Sequence, residues 1–201
     1  MKLYDISQEI FSCAVYPGDP APERQALCRI DKGDLYNLTA FRMCAHNGTH
    51  LDAPFHFFRE GKAVEQIPLE ACIGPCFVAE HTGPVRKADA AFILVQAKQA
   101  HPDAARRILL KGAALVTESA ARIFAEAGIF LLGVESQSVG PEDAPMAVHK
   151  ILLGAAVVLL EGLRLAAVPS GTYLLSAAPL NLAGCDGAPC RAVLTELPST
   201  L

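Results

Sequence analysis

The stretch His46-Asn47-Gly48-Thr49-His50-Leu51-Asp52-Ala53-Pro54-Phe55-His56 gathers three of the chain's six histidines and one aspartate into a single short run. Imidazole nitrogens and carboxylate oxygens are the donors that Zn²⁺ prefers, and Mn²⁺ or Fe²⁺ accept the same set. His46, His50, Asp52 and His56 stand an even number of residues apart, so on an extended chain they project to one side. Full extension nevertheless separates His46 from His50 by roughly 13 Å, too far for one ion. The chain must curl between them. Gly48 supplies the freedom for that, and Pro54 disfavours helix at Ala53. A helical i,i+4 pairing would also join His46 to His50, but Asn47-Gly48-Thr49 makes a poor helix. The expectation is a strand that breaks into a tight, ligand-bearing loop. Two histidines and an aspartate leave a coordination position open, which distinguishes catalytic from structural zinc. The alternative, histidines that merely cap turns of a structural loop, fits poorly with four donors around a glycine hinge.

Outward from this run, residues 38–45 read as a strand leading into it, and residues 2–11 as an early strand. Tyr16-Pro17-Gly18-Asp19-Pro20 is a turn by composition. Short apolar segments at 76–80, 92–95 and 107–110 are further strand candidates. Thr117 is a suitable N-cap for a helix running to residue 127, with Gly128 as its stop. Residues 129–134 and 155–160 read as buried strands, ending at Glu135 and Glu161. Between them, 145–153 has the pattern of a helix that Gly154 ends. Residues 172–175 and 191–196 complete a strand-rich α/β (α+β) arrangement.

The chain has 201 residues and 52% hydrophobic content, with 19% charged residues and a mean hydropathy of +0.30. This length suits a single domain over residues 1–201. So apolar a chain can bury a large core, and the excess suits a subunit interface. A formal net charge of −4 with no basic stripe argues against a nucleic-acid partner. The longest uncharged apolar run, residues 151–160, is about half of what a membrane span needs. Seven cysteines, an odd count without a Cys-x-x-Cys pair, and an opening that passes straight into polar residues point to reduced thiols in the cytoplasm. Cys72, Cys76, Cys185 and Cys190 have no histidine partners and read as core or surface thiols; His81 and His101 read as surface residues.

The run from His46 to His56 matches His-x-Gly-Thr-His-x-Asp-x-Pro-x-His at each fixed position. In this the chain resembles the cyclase-family metal hydrolases, which include kynurenine formamidases and isatin hydrolases. That family carries a further histidine and, twelve residues on, a glutamate closing an apolar run; His149 and Glu161 stand at that spacing. Tyr16-Pro17-Gly18-Asp19, Glu135-Ser136-Gln137-Ser138 and Pro189-Cys190-Arg191-Ala192 are smaller echoes. The resemblance implies one metal held by His46, His50 and Asp52, and a second held by His149 and Glu161 with Asp52 bridging. It also implies His56 as general acid/base, a swivelling β/β/α fold and homo-oligomers, as dimers or tetramers. Taken alone, His149 reads as a helix-surface residue and Glu161 as a solvated strand end. Two departures bear on the substrate: Tyr16 stands where kynurenine formamidases place tryptophan, and Glu135 where relatives commonly have aspartate.

Zn²⁺ is the expected cofactor, one or two per chain, with Mn²⁺ as the second choice. Such a cation lowers the pKa of water from near 16 to roughly 7. The expected substrate is a small molecule: an amide, formamide, cyclic imide or lactone. Tyr16 and Phe55 are candidate substrate contacts, since phenylalanines 55, 57 and 58 flank His56. A polyketide-type cyclase or dehydratase could run on the same site, and a metal-binding protein without turnover is a third class. His56, a poor choice for a purely structural role, argues against that third class.

Overall fold

Side chains of the central strands alternate between two separate cores, and this alternation organises the chain. The computed structural model describes residues 2–141 and 144–197. In chain order the strands are β1 (Leu3–Asp5), β2 (Glu23–Cys28), β3 (Leu38–Arg42), β4 (His50–Asp52), β5 (Ile73–Glu80), β6 (Gly83–Val85), β7 (Arg107–Lys111), β8 (Ala114–Val116), β9 (Leu131–Val134), β10 (Val158–Glu161), β11 (Gly171–Ser176), β12 (Gly187–Pro189) and β13 (Val193–Glu196). The helices are α1 (Leu69–Cys72), α2 (Lys87–Ala100), α3 (Glu118–Glu126) and α4 (Pro145–Gly154). Nine strands form one mixed sheet in the order β1-β13-β11-β5-β7-β9-β10-β4-β12. Its centre, β5-β7-β9-β10, is parallel. Antiparallel strands extend it on both sides.

The parallel strands are buried on both faces, which is why they read as short continuous apolar runs. Phe77, Ala79, Ile108, Leu110, Leu132 and Leu159 point into the core shared with α2, α3 and α4. Cys76, Val78, Leu109, Leu131, Val158 and Leu160 point the other way, into a core completed by Leu51, Leu175 and Leu194. The result is the strand-rich mixed α/β architecture with few helices that was expected.

Several local expectations hold and several do not. The Thr117 hydroxyl accepts from Ala120 N at 3.3 Å and caps α3. Residues 92–95 lie inside α2 and not in a strand; the Asp89 carboxylate accepts from Arg86 N at 2.8 Å and fixes the start of that helix. The early strand is only Leu3–Asp5, followed by a 3₁₀ turn at Ile10–Ser12. The strand expected over 38–45 ends at Arg42 and pairs only with β2, forming a ribbon outside the main sheet.

Candidate metal centre

The loop preceding β4 makes the sharp curl that the spacing requires. The Asn47 side chain accepts from Cys44 N at 2.8 Å and Asn47 N donates to Cys44 O, closing a turn. Gly48 follows with φ +68°, a conformation that favours glycine. The Thr49 hydroxyl then donates to Gly162 O at 2.7 Å and accepts from Gln8 N at 2.9 Å. Gly162, with φ +70°, sits against this loop so closely that a Cβ there would lie 2.3 Å from Gly48 O. The residue after Glu161 thus locks the histidine loop to the end of β10. A strand, β3, does precede this loop as expected, but His50 and Asp52 lie beyond the loop on a further strand, β4.

Strand pairing then sets the donors side by side. β4 lies between β10 and β12, with Glu161 opposite His50 and Leu159 opposite Asp52. Residues directly opposite in an antiparallel pair share a face. His50, Asp52 and Glu161 therefore all point to the side on which α4 packs, and α4 carries His149. His50 Nδ1 is 3.0 Å from Gly48 O. A carbonyl only accepts, so Nδ1 carries a hydrogen and Nε2 is the nitrogen that faces the other donors. Nε2 lies 3.4 Å from Asp52 Oδ1 and 3.5 Å from Glu161 Oε2. His149 Nε2 lies 3.6 Å from Asp52 Oδ2 and 3.2 Å from Glu161 Oε1. His46 Nδ1 is 2.9 Å from Asp52 Oδ1. Glu161 is further fixed by Val139 N, which donates to Oε1 at 2.7 Å.

These donors fall into two sets that share Asp52: His46, His50 and Asp52, and Asp52, His149 and Glu161, each with donor atoms within 4.8 Å of one another. His50 and Asp52 are each 1% exposed, Glu161 3% and His149 4%. Burial opposes a charge on His46, but the carboxylates of Asp186 and Asp52 outweigh it and push the ring up to about 11. Burial opposes a charge on His50 too, and Asp52 and Glu161 push that ring up to about 9. Burial would raise Asp52, yet hydrogen bonds from His46 and His50 hold it well below the usual carboxylate range. Among the described residues, the cleft above is lined by Asp19, Asp52 and Glu161 with no lysine or arginine. Buried carboxylates interleaved with imidazoles, without a lysine or arginine to pair them, form a donor set that fits a divalent metal.

The cleft has a volume of about 410 Å³, and His56, Tyr16, Phe57, Gln137, Ser138 and Met146 complete much of its wall. His56 sits in the 3₁₀ turn Pro54–His56 that follows β4. Neighbours in such a turn diverge by about 120°. Phe55 accordingly points away, 39% exposed, and does not line the cleft. Phe57 does, its ring tilted over His149 at 4.9 Å between centroids. Glu135 is also turned from the cleft: its carboxylate ties Gly112 N and Leu165 N together at 2.6 and 2.8 Å. Asp186 had no signal in the sequence reading, yet its Oδ2 meets His46 Nε2 at 2.9 Å and His56 Nδ1 at 3.0 Å.

A family model described as "Putative cyclase" matches residues 4–141. The chain belongs to that family. A curated relative, the "Kynurenine formamidase" of Salinibacter ruber, is 35% identical over 98% of this chain and 99% of its own. A solved structure described as a potential metal-dependent hydrolase with cyclase activity superposes with a TM-score of 0.83 at 30% identity, covering 98% of both chains. Isatin hydrolase A from Labrenzia aggregata shares the fold, with a TM-score of 0.81 at 21% identity over 98% of this chain and 94% of that one. The match to the putative cyclase family covers the first ligand run and the Tyr16 turn; the three likenesses that cover 98% of the chain extend over His149, Glu161 and Asp186 as well.

Proposed function

We propose that this protein is a metal-dependent hydrolase that opens the C–N bond of a small amide, with formamides and cyclic imides as leading substrates and lactones on the same site. One observation carries the reading: Asp52 joins two donor sets at the floor of a cleft whose wall holds His56. His46, His50 and Asp52 would hold one cation, and His149 and Glu161, with Asp52 shared, a second. Zn²⁺ suits this imidazole and carboxylate set best and Mn²⁺ next. When bound, such a cation supplies nucleophilic water near neutral pH and polarises a carbonyl oxygen. His56 takes a proton from the attacking water and returns it to the departing nitrogen or oxygen. Phe57 and Tyr16 offer faces to a planar substrate. Gln137 Nε2 and Oε1 and Ser138 Oγ are buried in this wall without a protein partner. Buried polar groups are satisfied in working proteins, so these atoms suit the polar edge of the substrate. The description of the family as a cyclase keeps a cyclisation on the same site as the second reading.

The test compares formylkynurenine, a cyclic imide and a lactone, with product analysis, in metal-loaded, chelated and metal-restored protein. Activity is expected to vanish on chelation and return with Zn²⁺; full activity without metal would overturn the reading, and ring closure as the sole product would select the cyclase. Tyr16 sharpens the substrate question. A phenol gives less stacking area than an indole but can donate a hydrogen bond, and stacking geometry is worth about 0.5–1.5 kcal/mol. Formylkynurenine should therefore be hydrolysed inefficiently, and Tyr16→Trp should raise its kcat/KM relative to the better substrate by up to roughly tenfold. An unchanged ratio would remove Tyr16 from the substrate contacts.

We also propose a homo-oligomer, a dimer or tetramer. The β2–β3 ribbon supports it by exposing Leu27, Tyr36, Leu38 and Phe41, with Leu35 95% exposed at its turn. So many exposed large apolar side chains on one two-stranded ribbon are unusual on a monomer. Sedimentation velocity should give a mass of two or four chains, and a 21.3 kDa species at micromolar concentration would refute it. Among the described residues no helix is long and apolar enough to cross a membrane. The seven cysteines are all free, in keeping with the cytoplasmic placement that we propose.

A further inference from the structure

Asp186 stands immediately before β12, and its backbone is held by the sheet, because Ala53 N donates to Asp186 O at 2.9 Å. The next residue must be small: a Cβ at Gly187 would lie 2.7 Å from Leu51 O and 2.8 Å from His46 Cε1. The register of β12 on β4, with Gly187 opposite Asp52, thus brings this carboxylate from the far end of the chain to the ligand loop. One oxygen, Oδ2, meets both His46 Nε2 and His56 Nδ1, at 2.9 and 3.0 Å. A carboxylate only accepts, so each of those nitrogens carries a hydrogen. For His46 this leaves Nδ1, 2.9 Å from Asp52 Oδ1, as the atom that faces the ligand set. For His56 it leaves Nε2 as the atom available to the cleft. The two rings lie 4.2 Å apart between centroids, tilted by 36°, and Phe57 closes the far side of His56 edge-on at 4.6 Å. The orientation of His56 is therefore defined on both sides.

We infer that Asp186 is a positioning residue: through one oxygen it orients the ligand His46 and holds His56 with its hydrogen on Nδ1, so that Nε2 is the atom that exchanges protons with the substrate. The inference rests on the reading of His56 as the acid/base. A carboxylate behind a metal-bound histidine is a common support that fixes the ring and its tautomer. Here the same carboxylate serves the proton carrier as well. Three contacts between His46, His56 and Asp186 also satisfy the distances for a further cation, so metal stoichiometry belongs in the test.

The experiment uses the zinc-loaded protein and Asp186→Ala, Asp186→Asn and Asp186→Glu, each also made in a His56→Ala background. Imidazole ¹⁵N spectra of the wild type should place the His56 hydrogen on Nδ1, and Asp186→Ala should turn this into a mixture of tautomers. Metal content should stay at the wild-type value. kcat should fall by about 10- to 100-fold while KM moves less than about threefold, and Asp186→Glu should regain part of the loss. In the His56→Ala background, Asp186→Ala should cost far less than in the wild type, leaving only its part in orienting His46. Equal losses in both backgrounds, or an unchanged His56 tautomer, would overturn the inference. Loss of zinc in step with activity would assign Asp186 to His46 alone, and a cation bound only when Asp186 is present would make it a ligand; either outcome also overturns it. Should the wild type hydrolyse none of the substrate classes, the tautomer comparison still decides the role of Asp186, so the two readings fail separately.

Discussion

Asp52→Ala protein should purify with neither cation and with turnover reduced well over about a thousandfold, since removing a single electrostatic donor from an active site already costs about 10²–10³. The reason lies in where the two oxygens point. Oδ1 stands 2.9 Å from His46 Nδ1 and 3.4 Å from His50 Nε2, and Oδ2 stands 3.6 Å from His149 Nε2. Among the described residues, Asp52 is the one that belongs to both donor sets. His46→Ala or His50→Ala removes a donor from one set only and should lose one cation first. Asp52→Asn is the companion variant, because it keeps the volume of a fully buried side chain and one acceptor oxygen while removing its charge. Elemental analysis after gel filtration, with circular dichroism as the check on folding, reads the outcome. Metal uptake by the wild type should also weaken as pH falls from 8 to 6. In the metal-free protein His46 and His50 hold protons up to about 11 and about 9, and a cation must displace them. Retention of both cations by folded Asp52→Ala would refute the bridging role.

The first ligand run was legible because its donors sit close together in sequence, where spacing and the glycine hinge constrain geometry directly. His149 and Glu161 were legible only through the family resemblance. Each alone looks ordinary, and their meeting depends on α4 packing over the face of β10. Asp186 lay beyond reach for the same reason: it is 130 residues from His56, in a Cys-Asp-Gly turn with no pattern of its own. Only the register of β12 on β4 reveals it. β3 was legible in part, within the strand expected over 38–45, but its partner β2 escaped because most of its side chains face solvent, which erases the alternation that marks a half-buried strand. Residues 92–95 were misread because four apolar residues in a row fit a buried strand and a helix face equally well. Phe55, Phe57 and Phe58 read equally well as pocket lining or core from the sequence, and only the 3₁₀ turn shows that Phe57 and not Phe55 lines the cleft. Long apolar strands and capped helices announce themselves; contacts made by pairing register do not.

His56→Ala should separate chemistry from binding. His56 stands on the cleft wall and meets Asp186, not Asp52 or Glu161, so it is absent from both donor sets that share Asp52. Its removal should leave both cations in place and the fold intact, since its ring is part-exposed and its side chain meets the site residues Asp186, His46, Phe57 and His149 and not the core. What is lost is the group that carries a proton between the attacking water and the departing nitrogen. General acid/base groups contribute about 10²–10⁴-fold, so kcat should fall by about a hundredfold or more with KM little changed. Leaving groups should respond unequally. A lactone or activated ester departs without much help from an acid, whereas an amide nitrogen must be protonated to leave. The loss for an amide should therefore exceed the loss for a lactone of similar shape. His56→Gln, which keeps hydrogen bonding to Asp186 but cannot shuttle a proton, should behave like His56→Ala. Metal analysis beside steady-state kinetics on both substrates decides the matter: zinc lost in proportion to activity would make His56 a ligand, and equal losses on amide and lactone would remove it from protonation of the leaving group.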